Sequence, residues 1–174
     1  CRRALQPDGL FIAALFGGQT VHELRASLAE AEVAVSGGLS PRVLPMAEIR
    51  DLGALLQRAG FALPVADAVT KRVLYRDALH LMHDLRAMGE GNALMARNRS
   101  PLRRAVLDNA QRRYALSYQA EDGRVSATFE TIFLTGWAPH GDQQQPLRPG
   151  SAVKRLSDAL GAPEITLPAT KGEG

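Results

Sequence analysis

Seven apolar residues in succession, Leu10-Phe11-Ile12-Ala13-Ala14-Leu15-Phe16, follow the turn-forming Pro7-Asp8-Gly9. A strand apolar on both faces has to be covered on both sides, which is the pattern of a central strand in a layered α/β fold. The expected strand spans Gly9 to Phe16. A Pro-x-Gly turn that hands the chain to a buried strand normally follows a helix inside a domain. Here it comes almost at once, and the chain opens on Cys1 rather than Met. The sequence therefore reads as the later part of a longer protein whose earlier part would carry most of any cofactor site.

Beyond Gly17 and Gly18, Thr20 and Glu23 have the spacing of a capping box, and Val21, Leu24, Leu28 and Ala31 give a helical stripe that fades near Glu32. Residues 36–45 read as a loop. A second helix carries Ile49, Leu52, Leu56 and Ala59, with Gly60 as its C′ residue. Leu63 to Tyr75 favours an extended conformation through Val65, Val69, Val73 and Tyr75. A third helix is expected from Arg76 to Met88, closed by Gly89, and residues 89–100 read as a polar loop. Ser100 before Pro101 has the form of an N-cap with proline at the first helical position. Leu102, Val106, Ala110 and Tyr114 then recur every four residues along a fourth helix. After the turn Glu121-Asp122-Gly123, every second residue from Val125 through Ala127, Phe129, Thr131, Phe133 and Thr135 to Trp137 falls on one face of a strand. Residues 139–150 have linker chemistry, Ser151 to Leu160 form a candidate short helix ending at Gly161, and the final dozen residues lack any structural signal.

At 174 residues and 45% hydrophobic, the chain has enough apolar material for one cored domain. We assign residues 1–138 to that domain, with an insertion at about 76–120, and residues 139–174 to a linker and tail. The net charge of +3 is small. One cysteine excludes an internal disulfide framework and favours a reducing compartment. No apolar run approaches the roughly 18 residues that a bilayer span needs.

Few residues advertise chemistry. His80 and His83 are three apart on a helix beside Asp84, a spacing open to two metal ligands. A third ligand has no obvious source, since His22, His140 and Cys1 lie elsewhere, so solvated helix residues are the first reading and no metal is expected. No Ser/His/Asp arrangement has a nucleophile turn. Arg97, Arg99, Arg103, Arg104, Arg112 and Arg113 face one acid, Asp108. Such a cluster reads first as a solvated helix face and second as a surface for an acidic protein partner. It lacks the interleaved aromatics of a base-stacking surface, so nucleic acid is not the expected partner.

Taken together, Leu-x-Pro-x-Gly leading into a strand, Phe16-Gly17-Gly18-x-Thr20-x-x-Glu23-Leu24, the Asp51-Leu52 helix ending Ala59-Gly60-Phe61, Asp84-Leu85-Arg86-Ala87-Met88-Gly89-Glu90-x-Asn92 and the strand Thr128-Phe129-Glu130 to Gly136-Trp137 resemble the second half of class I S-adenosylmethionine-dependent methyltransferases. The resemblance covers residues 3–160. It is strongest to the branch holding the malonyl-acyl-carrier-protein methyltransferase of biotin synthesis and the mitochondrial complex I assembly factor five, and Pro139-His140 and Pro149-Gly150-Ser151-Ala152 lie closer to the latter.

The resemblance implies an α/β chain, the C-terminal part of a Rossmann-like methyltransferase fold with a helical lid and a final long strand. It implies S-adenosylmethionine as cofactor of the whole protein, although the glycine-rich loop that holds it has no counterpart here. It makes this part the acceptor-binding half, with Phe16, Gly17, Thr20, Arg86 and Asn92 as substrate-binding candidates and a protein or an acyl-carrier-type molecule as acceptor. Thr20 is equally a helix cap, and a planar guanidinium and an amide suit a carboxylate or carbonyl. The rival implied activities are methyl transfer, complex I assembly with hydroxylation of a subunit arginine, and binding without catalysis. The compartment would be the cytoplasm of a bacterium or the mitochondrial matrix of a eukaryote.

Overall fold

In a computed structural model, which describes residues 1–143 and Gly161, three strands form one antiparallel sheet. Strand β1 is Leu10–Phe16, β2 is Ala62–Tyr75 and β3 is Val125–Trp137. The last strand in sequence is the central one, so the order is β1-β3-β2. Leu10 stands opposite Trp137 and Phe16 opposite Thr131, while on the other side Val65 pairs with Thr135 and Tyr75 with Val125. A bulge between Ala62 and Val65, where Leu63 takes φ 49°, shifts the start of β2.

Four α-helices join these strands: α1 (His22–Ser36), α2 (Ile49–Arg58), α3 (Ala78–Ala87) and α4 (Arg104–Tyr118). A short 3-10 turn, Arg2–Ala4, precedes β1. The expected α/β architecture is present, with two cores on the sheet. Leu56 and Phe61, from α2 and the turn after it, pack on Ile132 and Leu134. At the other end of β3, α1, α3 and α4 bring Leu24, Leu81, Val106 and Tyr114 onto Tyr75, Val125 and Ala127. Tyr114 is fully buried and donates its hydroxyl to the Ser126 carbonyl at 2.9 Å. Burial pushes the Tyr114 phenol up, helped by the charge of Glu23, so it stays a neutral donor. These elements belong to the compact unit Cys1–His140, and no helix among the described residues is long and apolar enough to cross a membrane.

Gly60 and Gly89 follow α2 and α3 with φ of 75° and 85°, as their placement after the apolar stripes requires. Three expectations about helix ends fail, two of them because a side chain is claimed elsewhere. Thr20 does not cap α1. Its hydroxyl donates to the Glu130 carbonyl at 3.0 Å and accepts from the Glu130 N–H at 3.1 Å, and α1 starts after Val21 in a left-handed conformation. Glu23, the other half of the expected capping box, instead accepts from the Thr128 hydroxyl at 2.5 Å. Ser100 does not cap α4, because the helix begins only at Arg104, with Arg103 at the N-cap position. Helix α1 also runs past Glu32 to Ser36, and α3 begins at Ala78, where Asp77 accepts from the His80 N–H at 2.8 Å. The candidate helix Ser151 to Leu160 lies outside the described residues.

Strand β1, read as a central strand of a longer protein, is among the described residues an edge strand paired on one side, as expected of a chain without the earlier part, and Ile12 is 65% exposed. Its face continues through Phe133 on β3 and Val65 and Val69 on β2, all exposed. An apolar face beside an open edge is a template for association. The 174-residue chain is therefore expected to self-associate in light scattering, and Ile12→Lys to reduce that association. A sharply cooperative melt from a clean monomer would contradict this.

Candidate functional site

The turn from β1 into α1 is built on backbone contacts to β3 and to the segment before α2. Gly17 donates to the Glu130 carbonyl at 2.9 Å, Gly18 to the Ala47 carbonyl at 3.1 Å, Thr20 to the Gly17 carbonyl at 2.9 Å, and Gln19 to the Glu130 carboxylate at 3.1 Å. Val21 donates to the Thr128 carbonyl at 2.7 Å. Every amide of the turn is engaged inside the protein. The two glycines are required by close approach: a Cβ on Gly17 would meet the Glu130 carboxylate and the Ile132 side chain, and one on Gly18 would meet the Glu48 carboxylate.

This arrangement is the reverse of an anion cradle, which needs free N–H groups and tolerates no facing carboxylates. The residues described therefore do not fit the part of S-adenosylmethionine that a strand-to-helix glycine turn would hold. The nearby cation, Arg25, donates to the Gly18 and Thr20 carbonyls at 3.2 Å each, and its buried Nε has no hydrogen-bond partner. Among the described residues no group of three or more His, Cys, Asp or Glu side chains could hold a metal ion. His80 stands edge-on to Tyr75, and His22 hydrogen-bonds the Gln19 carbonyl.

An open cavity of about 650 Å³ lies at the C-terminal end of β1. Phe16, Leu44, Met46 and Ala47 give it apolar walls, and Thr131 and Glu90 are its polar members. Glu90 is the one carboxylate in this lining, while the Glu48 and Glu130 carboxylates sit against Gly18 and Gly17 in the neighbouring turn. No lysine or arginine lines the cavity.

A second cavity, of about 230 Å³, shares Leu44, Met46 and Glu90 with the first. Arg86 and Asn92 line this second cavity, not the first. Asn92 donates to the Pro41 carbonyl at 2.7 Å and accepts from the Leu94 N–H, tying the loop after α3 to the segment before α2. The Arg86 side chain is exposed and makes no hydrogen bond or ion pair within the described residues. Of the substrate-binding candidates, Phe16 therefore lines one cavity and Arg86 and Asn92 its neighbour. Gly17 forms the turn beside the first cavity, and Thr20 is fully buried with its hydroxyl occupied. Sequence reasoning missed Glu90 as a site residue, although it stands in the same motif as Arg86 and Asn92.

The segment carrying Leu44 to Ala47 is anchored by a buried ion pair. Arg42 donates to Glu32 at 2.6 Å, and the Ser40 N–H adds a bond of 2.8 Å to the same carboxylate. Burial alone would raise the Glu32 carboxyl, but the Arg42 side chain, the Ser40 N–H and the Arg42 charge outweigh it and hold the group below the usual carboxylate range.

The chain is 43% identical over 149 residues to human arginine-hydroxylase NDUFAF5, mitochondrial, a match covering 86% of this chain and 43% of that protein. The Dictyostelium discoideum protein of the same name is 41% identical over 161 residues, covering 92% of this chain and 37% of its own length. The malonyl-acyl-carrier-protein O-methyltransferase of Halorhodospira halophila is 34% identical over 144 residues, covering 83% and 47%. The chain belongs to the methyltransferase-fold branch that contains these proteins. It spans less than half the length of these relatives. No protein-family model matches it.

Two outcomes are expected of this branch member. Because the lowered Glu32 carboxyl stabilises the folded state above the ordinary carboxylate range, that contribution is lost as pH falls through the lowered value. Arg42→Met should remove this acid dependence and destabilise the chain by about 1–3 kcal/mol in urea, since it leaves a buried carboxylate unpaired. Calorimetric titration of S-adenosylmethionine into the 174-residue chain should show no binding in the low micromolar range. Binding at that level would mean that the main cofactor contacts lie among these residues.

Proposed function

We propose that this chain is the acceptor-binding half of a methyltransferase-fold protein and that its acceptor is an arginine side chain of another protein. The observation that carries this reading is the character of the 650 Å³ cavity: apolar walls, the Glu90 carboxylate in the lining, and no lysine or arginine. A guanidinium is planar, weakly hydrated and bound bidentately by a carboxylate, and its aliphatic stem packs on apolar walls. A malonyl carboxylate in the same place would face the like charge of Glu90 with no cation in the lining to offset it. Of the two kinds of relative, the arginine hydroxylases therefore supply the better analogy, and a role in respiratory complex I assembly follows from the resemblance to assembly factor five. The acceptor protein would be mitochondrial in a eukaryote and cytoplasmic in a bacterium.

Within this reading, S-adenosylmethionine or any other cofactor is held by residues other than those described. The loop after α3, which Asn92 ties down and which supplies Glu90, would act as the acceptor-facing lid. The surface arginines Arg99, Arg103 and Arg104 remain a second contact for an acidic region of the partner.

In the natural protein, fluorescence anisotropy should detect binding of an arginine-containing peptide and at least ten-fold weaker binding of the same peptide with citrulline. Glu90→Gln should weaken the arginine peptide by about ten- to a hundred-fold, the loss of a charge-assisted hydrogen bond. Binding of a malonyl thioester that arginine peptides do not displace, with arginine and citrulline peptides indistinguishable, would overturn the reading.

A further inference from the structure

The 230 Å³ cavity has a composition unlike its neighbour. Leu24, Leu28, Val43, Met82, Leu85 and Leu102 make its interior, and the carboxylate it borrows, Glu90, stands in the wall shared with the first cavity. Its cations differ in state. Arg42 is locked to Glu32, whereas the Arg86 side chain is exposed and has no partner within the described residues. The partition between the two cavities is made of Leu44 and Met46, both half-buried. An occupant of the first cavity therefore has the mouth of the second directly beside it.

We propose that the second cavity reads the acceptor's sequence by taking the side chain of an apolar residue within two positions of the arginine. This rests on the arginine reading of the first cavity. In an extended segment residues i and i+2 project to the same side about 7 Å apart, so two adjoining cavities divided by one layer of side chains suit a pair of side chains from one strand. The volume accommodates one leucine, methionine or phenylalanine, and the apolar lining supplies the gain from removing that side chain from water. The charges act against the wrong neighbours. Lysine or arginine at the flanking position would enter beside Arg86 and Arg42, and aspartate would be placed in an apolar interior next to Glu90. Arg86 itself is free to donate to a carbonyl of the bound segment, which makes it a binding residue for peptide backbone rather than for a substrate carboxylate.

The test is a set of peptides, each with one central arginine, in which one position from −2 to +2 is varied through Leu, Phe, Gly, Asp and Lys, titrated against the natural protein. At one position Leu or Phe should bind about ten-fold or more tightly than Gly, and Asp and Lys no better than Gly. Val43→Phe, which fills the cavity from a loop, should abolish that preference while leaving the affinity of the glycine-flanked peptide within two-fold. Met82→Ala, which enlarges it, should move the preference from Leu toward Phe, so the proposal does not depend on one variant folding. Affinities that are the same for every flanking residue overturn the proposal and leave the arginine reading standing. If citrulline replaces the central arginine without loss, both fall.

Discussion

The backbone of β3 at Thr128 to Glu130 is the fixed point to which the rest of the site is referred. Strand β1 stops pairing after Phe16, yet the next five residues stay bound to β3 through Gly17, Thr20 and Val21, with the Thr20 hydroxyl standing in for the strand partner that β1 no longer supplies. Those bonds settle three things together. They force Val21 into a left-handed conformation that a β-branched residue adopts only when its surroundings hold it there, as burial and the Thr128 carbonyl do. They orient α1, whose Leu24 and Leu28 wall the smaller cavity. They also bring the Glu130 carboxylate against Gly17.

A strand, a glycine pair and a helix form a sequence of elements that elsewhere serves to bind anions. Here the same elements leave no N–H of the turn free to meet an anion. Hydrogen-bonding capacity that could have faced a ligand is turned inward, and carboxylates occupy the space that the absent Cβ atoms leave. An acidic, partly apolar recess interacts more strongly with a cation than the same groups would in bulk water. The polarity of a site is thus decided by what faces the turn, and two glycines alone carry no information about it.

Much of the fold was legible because it rests on local periodicity. The alternation from Val125 to Trp137, the stripe from Val106 to Tyr114 and the glycines after α2 and α3 each follow from backbone geometry that neighbouring residues specify. The failures have other causes. Thr20 and Glu23 have the spacing of a capping box, but β3, more than a hundred residues away in sequence, claims both side chains. Ser100 failed for another reason, since α4 begins only at Arg104. The two cavities were legible only through a few members, Phe16 for one and Arg86 with Asn92 for the other. Glu90, Leu44 and Met46, which line both, come from two separate segments, and no spacing rule joins them.

The central position of β3 also has a consequence in time. A ribosome delivers β1 first and β2 next, and these two strands touch only by way of the third. Until residues 125–137 have emerged, neither can make the pairing that this sheet gives it. Helix α2 and the turn at Gly60 can form early, since their contacts are near in sequence, but the sheet closes in one late step that joins both ends of the domain. The time needed to complete this pairing is therefore set by the distance along the chain from β1 to β3.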